Sequence, residues 1–121
     1  MPGKSILIAD DDPDMVAFLT TALEASGLQI DSAASADELV QKLRAATPDL
    51  ILLDMGMPGL DEKTPAMDVR KRTYTRAKIL IISGREIANE RKVGHLQGAQ
   101  GAIQKGSDLD TIIATVQEML K

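Results

Sequence analysis

Four short apolar runs constrain the fold most, because each of them ends at a polar side chain. The runs are residues 6–9, 50–53, 79–82 and 101–104, and a weaker fifth run covers residues 28–33. Short runs without alternation are typical of strands that are covered on both faces. Helical patterns lie between the runs, and strands that alternate with helices pair in parallel through right-handed crossovers. The sequence therefore predicts an α/β fold of three layers, with a doubly wound, five-stranded parallel sheet.

Helix boundaries are predicted where capping residues meet helical periodicity. Asp12 is a suitable N-cap, and Pro13 fits the first helical position because its missing N–H needs no partner there. Ser35, with Glu38 three residues later, has the form of a capping box. The first helix is predicted to bury one apolar stripe and to stop at Gly27. The residues of that stripe are Met15, Phe18, Leu19, Ala22 and Leu23.

Three more helices are predicted in the second half of the chain. Thr64 and Pro65 supply the cap and first residue of one, and residues 108–120 form a strongly amphipathic last helix. Residues 87–97 form a short helix with few apolar anchors. The whole chain, residues 1–121, is interpreted as one domain.

Composition excludes several classes of function. The net charge is −4, which argues against a nucleic-acid surface, and there is no cysteine for disulfides, thiolate chemistry or a cysteine zinc site. The single histidine, His95, cannot form a multi-histidine metal site, and is interpreted as a surface residue. No apolar run is long enough to span a membrane, and no signal peptide is visible. A cytoplasmic protein without membrane partners is therefore predicted.

Polar side chains at the ends of the predicted strands indicate the chemistry. Parallel strands end at one edge of a sheet, so Asp10, Asp11, Asp54, Ser83 and Lys105 are expected to converge there. Clustered carboxylates repel one another unless a cation is present, and an all-oxygen site favours Mg²⁺. Mg²⁺ keeps a place for a phosphate oxygen, and a carboxylate can act as a nucleophile towards phosphorus. We expect a site for a divalent cation and a phosphoryl group, centred on Asp54.

Each of these residues also has a simpler interpretation. Asp10 and Asp11 are favourable charges near a helix N-terminus, and Asp54 is a suitable cap for the following turn. Ser83 and Lys105 are, taken singly, ordinary turn and surface residues. All of them, however, follow the ends of predicted strands, and this shared position favours a single site for a cation and a phosphoryl group.

These motifs resemble the receiver domain of two-component response regulators. The matching segments are residues 6–12, residues 54–58, Ser83 with Gly84, and Lys105, and the resemblance covers essentially the whole chain. It implies a flavodoxin-like (βα)5 receiver fold. It also implies a signalling module that accepts a phosphoryl group from a phosphohistidine of a sensor histidine kinase or phosphotransfer protein. Such a module catalyses only its own phosphorylation and dephosphorylation, and signals by binding a downstream protein.

The resemblance implies a role for each matching residue. Asp54 corresponds to the phosphoacceptor and to a Mg²⁺ ligand; Asp11 would bind Mg²⁺ directly, Asp10 through water, and Gly56 through its carbonyl. The remaining positions contact the phosphoryl group, and they are Ser83, Gly84 and Lys105.

The sequence departs from the family pattern near Lys105. Ala102 stands where Tyr or Phe is usual, so the aromatic switch is absent, and Gly106 replaces the usual proline. These departures leave open a pseudo-receiver that binds proteins without phosphorylation. A flavin carrier is set aside because aromatic residues are scarce. A phosphatase with an aspartate nucleophile is set aside because Gly56 stands where a second aspartate is usual.

Two further hypotheses concern the segment after the fourth apolar strand. Arg85 is expected to modulate hydrolysis of the phosphoaspartate, by contacting phosphate or by blocking water. The weak helix at residues 87–97 is expected to be the least stable element and the one most changed by phosphorylation.

Overall fold

The computed structural model describes residues 3–84 and 97–121 of the chain. Five strands form one parallel sheet in the order β2-β1-β3-β4-β5. The order reverses direction between β1 and β3, which is the topological switch point of a doubly wound sheet. The strands are β1 Ser5–Ala9, β2 Gln29–Ala33, β3 Leu50–Asp54, β4 Lys78–Ser83 and β5 Gly101–Gln104.

The helices of the described residues form two layers, one on each face of the sheet. One apolar cluster contains residues of α1 and α4, and the other contains residues of α2 and α3. The predicted α/β architecture of three layers is confirmed. The helices are α1 Pro13–Glu24, α2 Ala36–Ala45, α3 Pro65–Thr73 and α4 Leu109–Met119.

The central strand β3 explains why its apolar run does not alternate. Leu50 and Leu52 pack into the cluster on the α1 and α4 side, and Ile51 and Leu53 pack into the opposite one. Since both faces are covered, all five residues of the strand are buried, and the last of them is Asp54. Polar chemistry is therefore confined to the carboxyl end of this strand.

Side-chain caps fix the starts of two helices that lead away from this edge. The Asp12 carboxylate accepts from the N–H of Asp14 at 3.0 Å, and Pro13 is the first residue of α1. The Ser35 hydroxyl accepts from the N–H of Glu38 at 3.2 Å, as the capping box predicts. The Glu38 carboxylate, however, accepts from the N–H of Ala34 rather than from that of Ser35.

Thr64 is the N-cap of α3 and Pro65 its first residue, as predicted, although the Thr64 side chain makes no capping hydrogen bond. Two predicted details are wrong. Phe18 is predicted in the buried stripe of α1, but it is 50% exposed because the stripe buries only Leu19 and Leu23 fully. Strand β2 begins at Gln29, one residue later than predicted.

Several predictions lie outside the described residues. They concern Arg85, His95 and almost the whole of the weak helix at residues 87–97. Within residues 3–84 and 97–121, no helix is both long enough and apolar enough to cross a membrane.

Candidate functional site

Adjacent strands bring three carboxylates together at the carboxyl edge of the sheet. Asp10 follows β1, Asp54 ends β3, and these two strands are neighbours. Asp10, Asp11 and Asp54 each offer one oxygen, and these oxygens all lie within 4.8 Å of one another. Asp10 and Asp54 are buried while Asp11 is exposed. The predicted acidic cluster is present.

Backbone hydrogen bonds hold the two buried carboxylates in place. One oxygen of Asp10 accepts from the N–H of Asp12 at 3.0 Å. One oxygen of Asp54 accepts from the N–H of Gly56 at 3.3 Å, while the Asp54 carbonyl accepts from Met57 at 3.1 Å. The turn after β3 therefore orients the Asp54 side chain and places Gly56 beside it.

Lys105 reaches the acidic cluster from β5, across the end of β4. Its N–H donates to the Ser83 carbonyl at 2.6 Å, which extends the pairing of the two strands by one residue. Its Nζ lies 3.2 Å from Asp54 Oδ1 and 3.9 Å from Asp10 Oδ2. The ammonium thus contacts both buried acids, and Asp54 more closely.

The remaining predicted residues border this contact. Ser83 is buried at the end of β4, and the register places its neighbour Ile82 opposite Asp54. Gly84 is exposed, and a Cβ added there would lie 4.0 Å from the Lys105 side chain. Both residues therefore lie at the same edge of the sheet as Asp54.

The charges at the site do not balance. Burial raises the pKa of Asp10, the N–H of Asp12 partly opposes this, and the charge of Asp54 raises it further. Burial lowers the pKa of Lys105, but its hydrogen bond to Asp54 and the negative charges of Asp54 and Asp10 outweigh burial, so the pKa is raised. Three carboxylates facing one ammonium leave an excess of two negative charges when all are ionised.

This donor set fits a hard divalent cation. The three carboxylates supply only oxygen, which suits Mg²⁺, and their excess charge of two equals that of the ion. Asp12 is not part of the cluster, which agrees with its interpretation as a helix cap.

Two residues that depart from the family pattern lie beside the site. Ala102 pairs with Ile81 and packs, half-buried, against the cluster on the α2 and α3 side. Gly106 has φ +92°, a conformation that proline cannot adopt. The loop after Lys105 therefore follows a path that needs glycine.

The sequence did not reveal an open groove beside the acids. It has a volume of about 470 Å³ and lies between α1 and the end of β2. Asp10 and Asp11 line one end of it, and Val16, Thr20 and Glu38 line its walls. The sequence carries no signal for this groove because its walls come from separate elements.

Comparison with known sequences identifies the family. The sequence profile described as response regulator receiver domain matches residues 6–117. Protein PilH of Pseudomonas aeruginosa is 31% identical over 116 residues, which cover 95% of this chain and 96% of PilH. Transcriptional regulatory protein PrrA of Mycobacterium leprae is 28% identical over 96% of this chain, which spans only 49% of PrrA.

Solved structures show the same architecture. A CheY-like response regulator receiver domain protein from Methanospirillum hungatei superposes with a TM-score of 0.84 and 26% identity, covering 98% of this chain and 94% of that one. The response regulator TrrA from Thermotoga maritima, solved in complex with Mg²⁺-BeF, gives a TM-score of 0.80 and 26% identity, covering 96% and 98%. With its acidic pocket and its parallel sheet, the chain belongs to the response regulator receiver domain family of two-component systems.

Proposed function

We propose that the chain is a Mg²⁺-dependent phosphoacceptor module of a two-component phosphorelay, with Asp54 as the acceptor. One observation carries this proposal above all. The Asp54 carboxylate lies 3.2 Å from the Lys105 ammonium, and one of its oxygens lies within 4.8 Å of carboxylate oxygens of Asp10 and Asp11. A phosphoryl group on Asp54 would therefore be near the positive charge of Lys105 and near that of a cation held by the acids.

The surroundings favour Asp54 over the other two acids as the nucleophile. Asp10 is 2% exposed, and one of its oxygens accepts from the N–H of Asp12. Asp11 is exposed and, within residues 3–84 and 97–121, has no ion pair with a lysine or arginine. Asp54 has the closer contact with the Lys105 ammonium, at 3.2 Å compared with 3.9 Å for Asp10. Its oxygen would form a bond to phosphorus as the P–N bond of a phosphohistidine breaks, and the leaving imidazole keeps the electron pair.

The residues that would hold Mg²⁺ are Asp11 and Asp54 directly, Asp10 through water, and Gly56 through its carbonyl. When bound, the ion would neutralise negative charge on the phosphoryl group during its transfer. The positions of the three carboxylates and the nearness of Gly56 to Asp54 support this assignment.

The residues that would contact the phosphoryl group are Lys105, Ser83 and Gly84. Lys105 offers an ammonium, Ser83 a hydroxyl donor and Gly84 a backbone N–H at a position without a side chain. Their shared location at the ends of β4 and β5 supports this role. Arg85 is retained as a candidate modulator of phosphoaspartate hydrolysis, and Ala102 as a modulating position at which the usual aromatic switch residue is absent.

The partners follow from membership of the family. The proposed donor is a sensor histidine kinase or phosphotransfer protein, and the output is binding to a downstream protein in the cytoplasm. Neither nucleic acid nor membrane is a proposed partner of this site, since the net charge is −4.

Incubation with acetyl phosphate and Mg²⁺, followed by intact-mass spectrometry, tests the proposal. We expect the gain of one phosphoryl group, its loss in Asp54→Asn, and slower gain in Asp11→Asn because a metal ligand is removed. Asp12→Asn is the matched control, since Asn also caps helices and Asp12 lies outside the cluster. Phosphorylation that persists in Asp54→Asn contradicts the proposal. An unmodified wild-type protein favours the pseudo-receiver interpretation.

A further inference from the structure

A basic segment connects α3 to β4 in a chain whose net charge is −4. Residues 70–78 contain five lysine or arginine residues and no acidic residue. The segment lies at the amino-terminal edge of the sheet, because β4 begins at its last residue, Lys78. The phosphoacceptor site does not use it.

Internal contacts account for only part of this charge. Arg70 donates to the carbonyls of Gly98 and Thr75, and Lys78 donates to the carbonyl of Met119. Both therefore serve the fold. By contrast, Lys71 and Arg76 are exposed and form no ion pair within the described part of the chain.

A residue of α2 extends the positive charge. Arg44 is exposed near the end of α2, and its guanidinium donates to the Arg72 carbonyl at 3.0 Å. Arg72 itself pairs with Asp68 at 3.0 Å. The Arg44–Arg72 bond joins the carboxyl ends of α2 and α3, and we define the basic surface as the basic residues at or just after these two ends, close to Tyr74 in the chain: Arg44, Lys71, Arg72 and Arg76.

Tyr74, which lies between Arg72 and Arg76 in the chain, is not explained by the fold. Its side chain is 87% exposed, so it contributes little to the core. Its φ of +56° is left-handed, a strained conformation that glycine or asparagine adopts more readily at a helix end. The dipoles of α2 and α3 favour positive charge here, but they do not favour an exposed tyrosine.

We infer that the basic surface is a docking site for an acidic segment of a partner protein, with Tyr74 as its aromatic anchor. Tyrosine and arginine are enriched at the energetically important positions of interfaces. The charges of Arg44, Lys71 and Arg76 complement a short run of Asp and Glu. A long nucleic acid fits less well, since the net charge of the whole molecule is negative.

The location separates the docking surface from the phosphoacceptor site. Strand β3 has five residues and spans about 17 Å, with Asp54 at its carboxyl end and the basic surface at the opposite edge of the sheet. A partner held there would leave the phosphoacceptor site uncovered.

Titration of the ¹⁵N-labelled full chain with a ten-residue peptide of alternating Glu and Leu tests this inference. We expect shifts centred on residues 71–76, and affinity that falls at least about five-fold in both Arg76→Gln and Tyr74→Asn. Lys63→Gln is the matched control: it removes one exposed positive charge before α3, at the other end of that helix, and should leave the affinity unchanged. Asp54→Asn should bind like the wild type.

Three results would overturn the inference. One is absence of binding up to about 1 mM peptide, and another is equal loss of affinity in Lys63→Gln and Arg76→Gln. The third is tighter binding of a single-stranded oligonucleotide that carries the same charge as the peptide. Thermal melts show whether the variants are folded, and Asn should tolerate the left-handed position of Tyr74 without loss of stability.

Discussion

Asp10 shows how single residues set the electrostatics of the site. It is 2% exposed, and it lies within 4.8 Å of two other carboxylates. Its pKa is raised because burial and the charge of Asp54 both disfavour the ionised form. The ammonium of Lys105 at 3.9 Å and the N–H of Asp12 offset this only in part. The apo site therefore opposes folding when Asp10 is ionised.

Asp10→Asn should stabilise the metal-free protein by about 1 kcal/mol at neutral pH. The amide oxygen can still accept from the N–H of Asp12, while the negative charge is removed. Since the folded pKa of Asp10 lies above its ordinary value of 3.8, its destabilising effect grows as pH rises from about 3.8 through the folded pKa. The gain in the variant should grow over the same window. Urea denaturation at several pH values measures it.

Asp12→Asn is the control for this prediction, because Asp12 is exposed and Asn keeps the helix cap. Its stability should stay within about 0.5 kcal/mol of the wild type. A gain in Asp10→Asn that does not change between pH 3 and pH 7 would show that repulsion among the carboxylates is not its cause.

At the scale of elements, Arg70 joins three parts of the fold. It extends from α3 and donates to the Gly98 carbonyl at 2.7 Å, the Thr75 carbonyl at 3.0 Å and the Gln100 side chain at 2.9 Å. Gln100 in turn accepts from the N–H of Ile79 at 2.8 Å. This network connects the end of α3, the start of β4 and the approach to β5, the strand that carries Lys105.

Arg70→Gln should destabilise the protein by about 3 kcal/mol, because acceptors in a half-buried network lose a charged donor. Arg76→Gln removes an exposed arginine six residues later and should change the unfolding free energy by less than about 0.5 kcal/mol. Urea denaturation of both variants measures the difference. Equal effects in the two variants would contradict the structural role of Arg70.

The sequence predicted local features of these elements better than contacts between them. Ser35 was identified as a cap because the bond that it makes spans only three residues. The exposure of Phe18 was missed because periodicity does not give the width of the buried stripe of α1. The role of Arg70 was missed because Gly98 lies 28 residues away. The acidic cluster was predictable because parallel strands end at one edge whatever their order.

At the scale of the whole molecule, the strand order assembles the site. β3 lies between β1 and β4, so Asp54 has Asp10 on one side and Ser83 on the other. Lys105 comes from β5, two strands away, and still reaches Asp54. The site thus exists only when pairings between distant parts of the chain are complete. A ligand that binds it must therefore stabilise the folded state over the unfolded chain.

Mg²⁺ should consequently raise the melting temperature of the whole protein. At ten times the dissociation constant, binding adds about 1.4 kcal/mol of stability, or roughly 5 °C for a domain of this size. Differential scanning calorimetry with increasing MgCl₂ measures the shift, and NaCl at matched ionic strength corrects for screening. Asp11→Asn should lose most of the shift, whereas Asp12→Asn should keep it, since only Asp11 belongs to the cluster. If the two variants respond to Mg²⁺ alike, general screening rather than the three-carboxylate site accounts for the stabilisation.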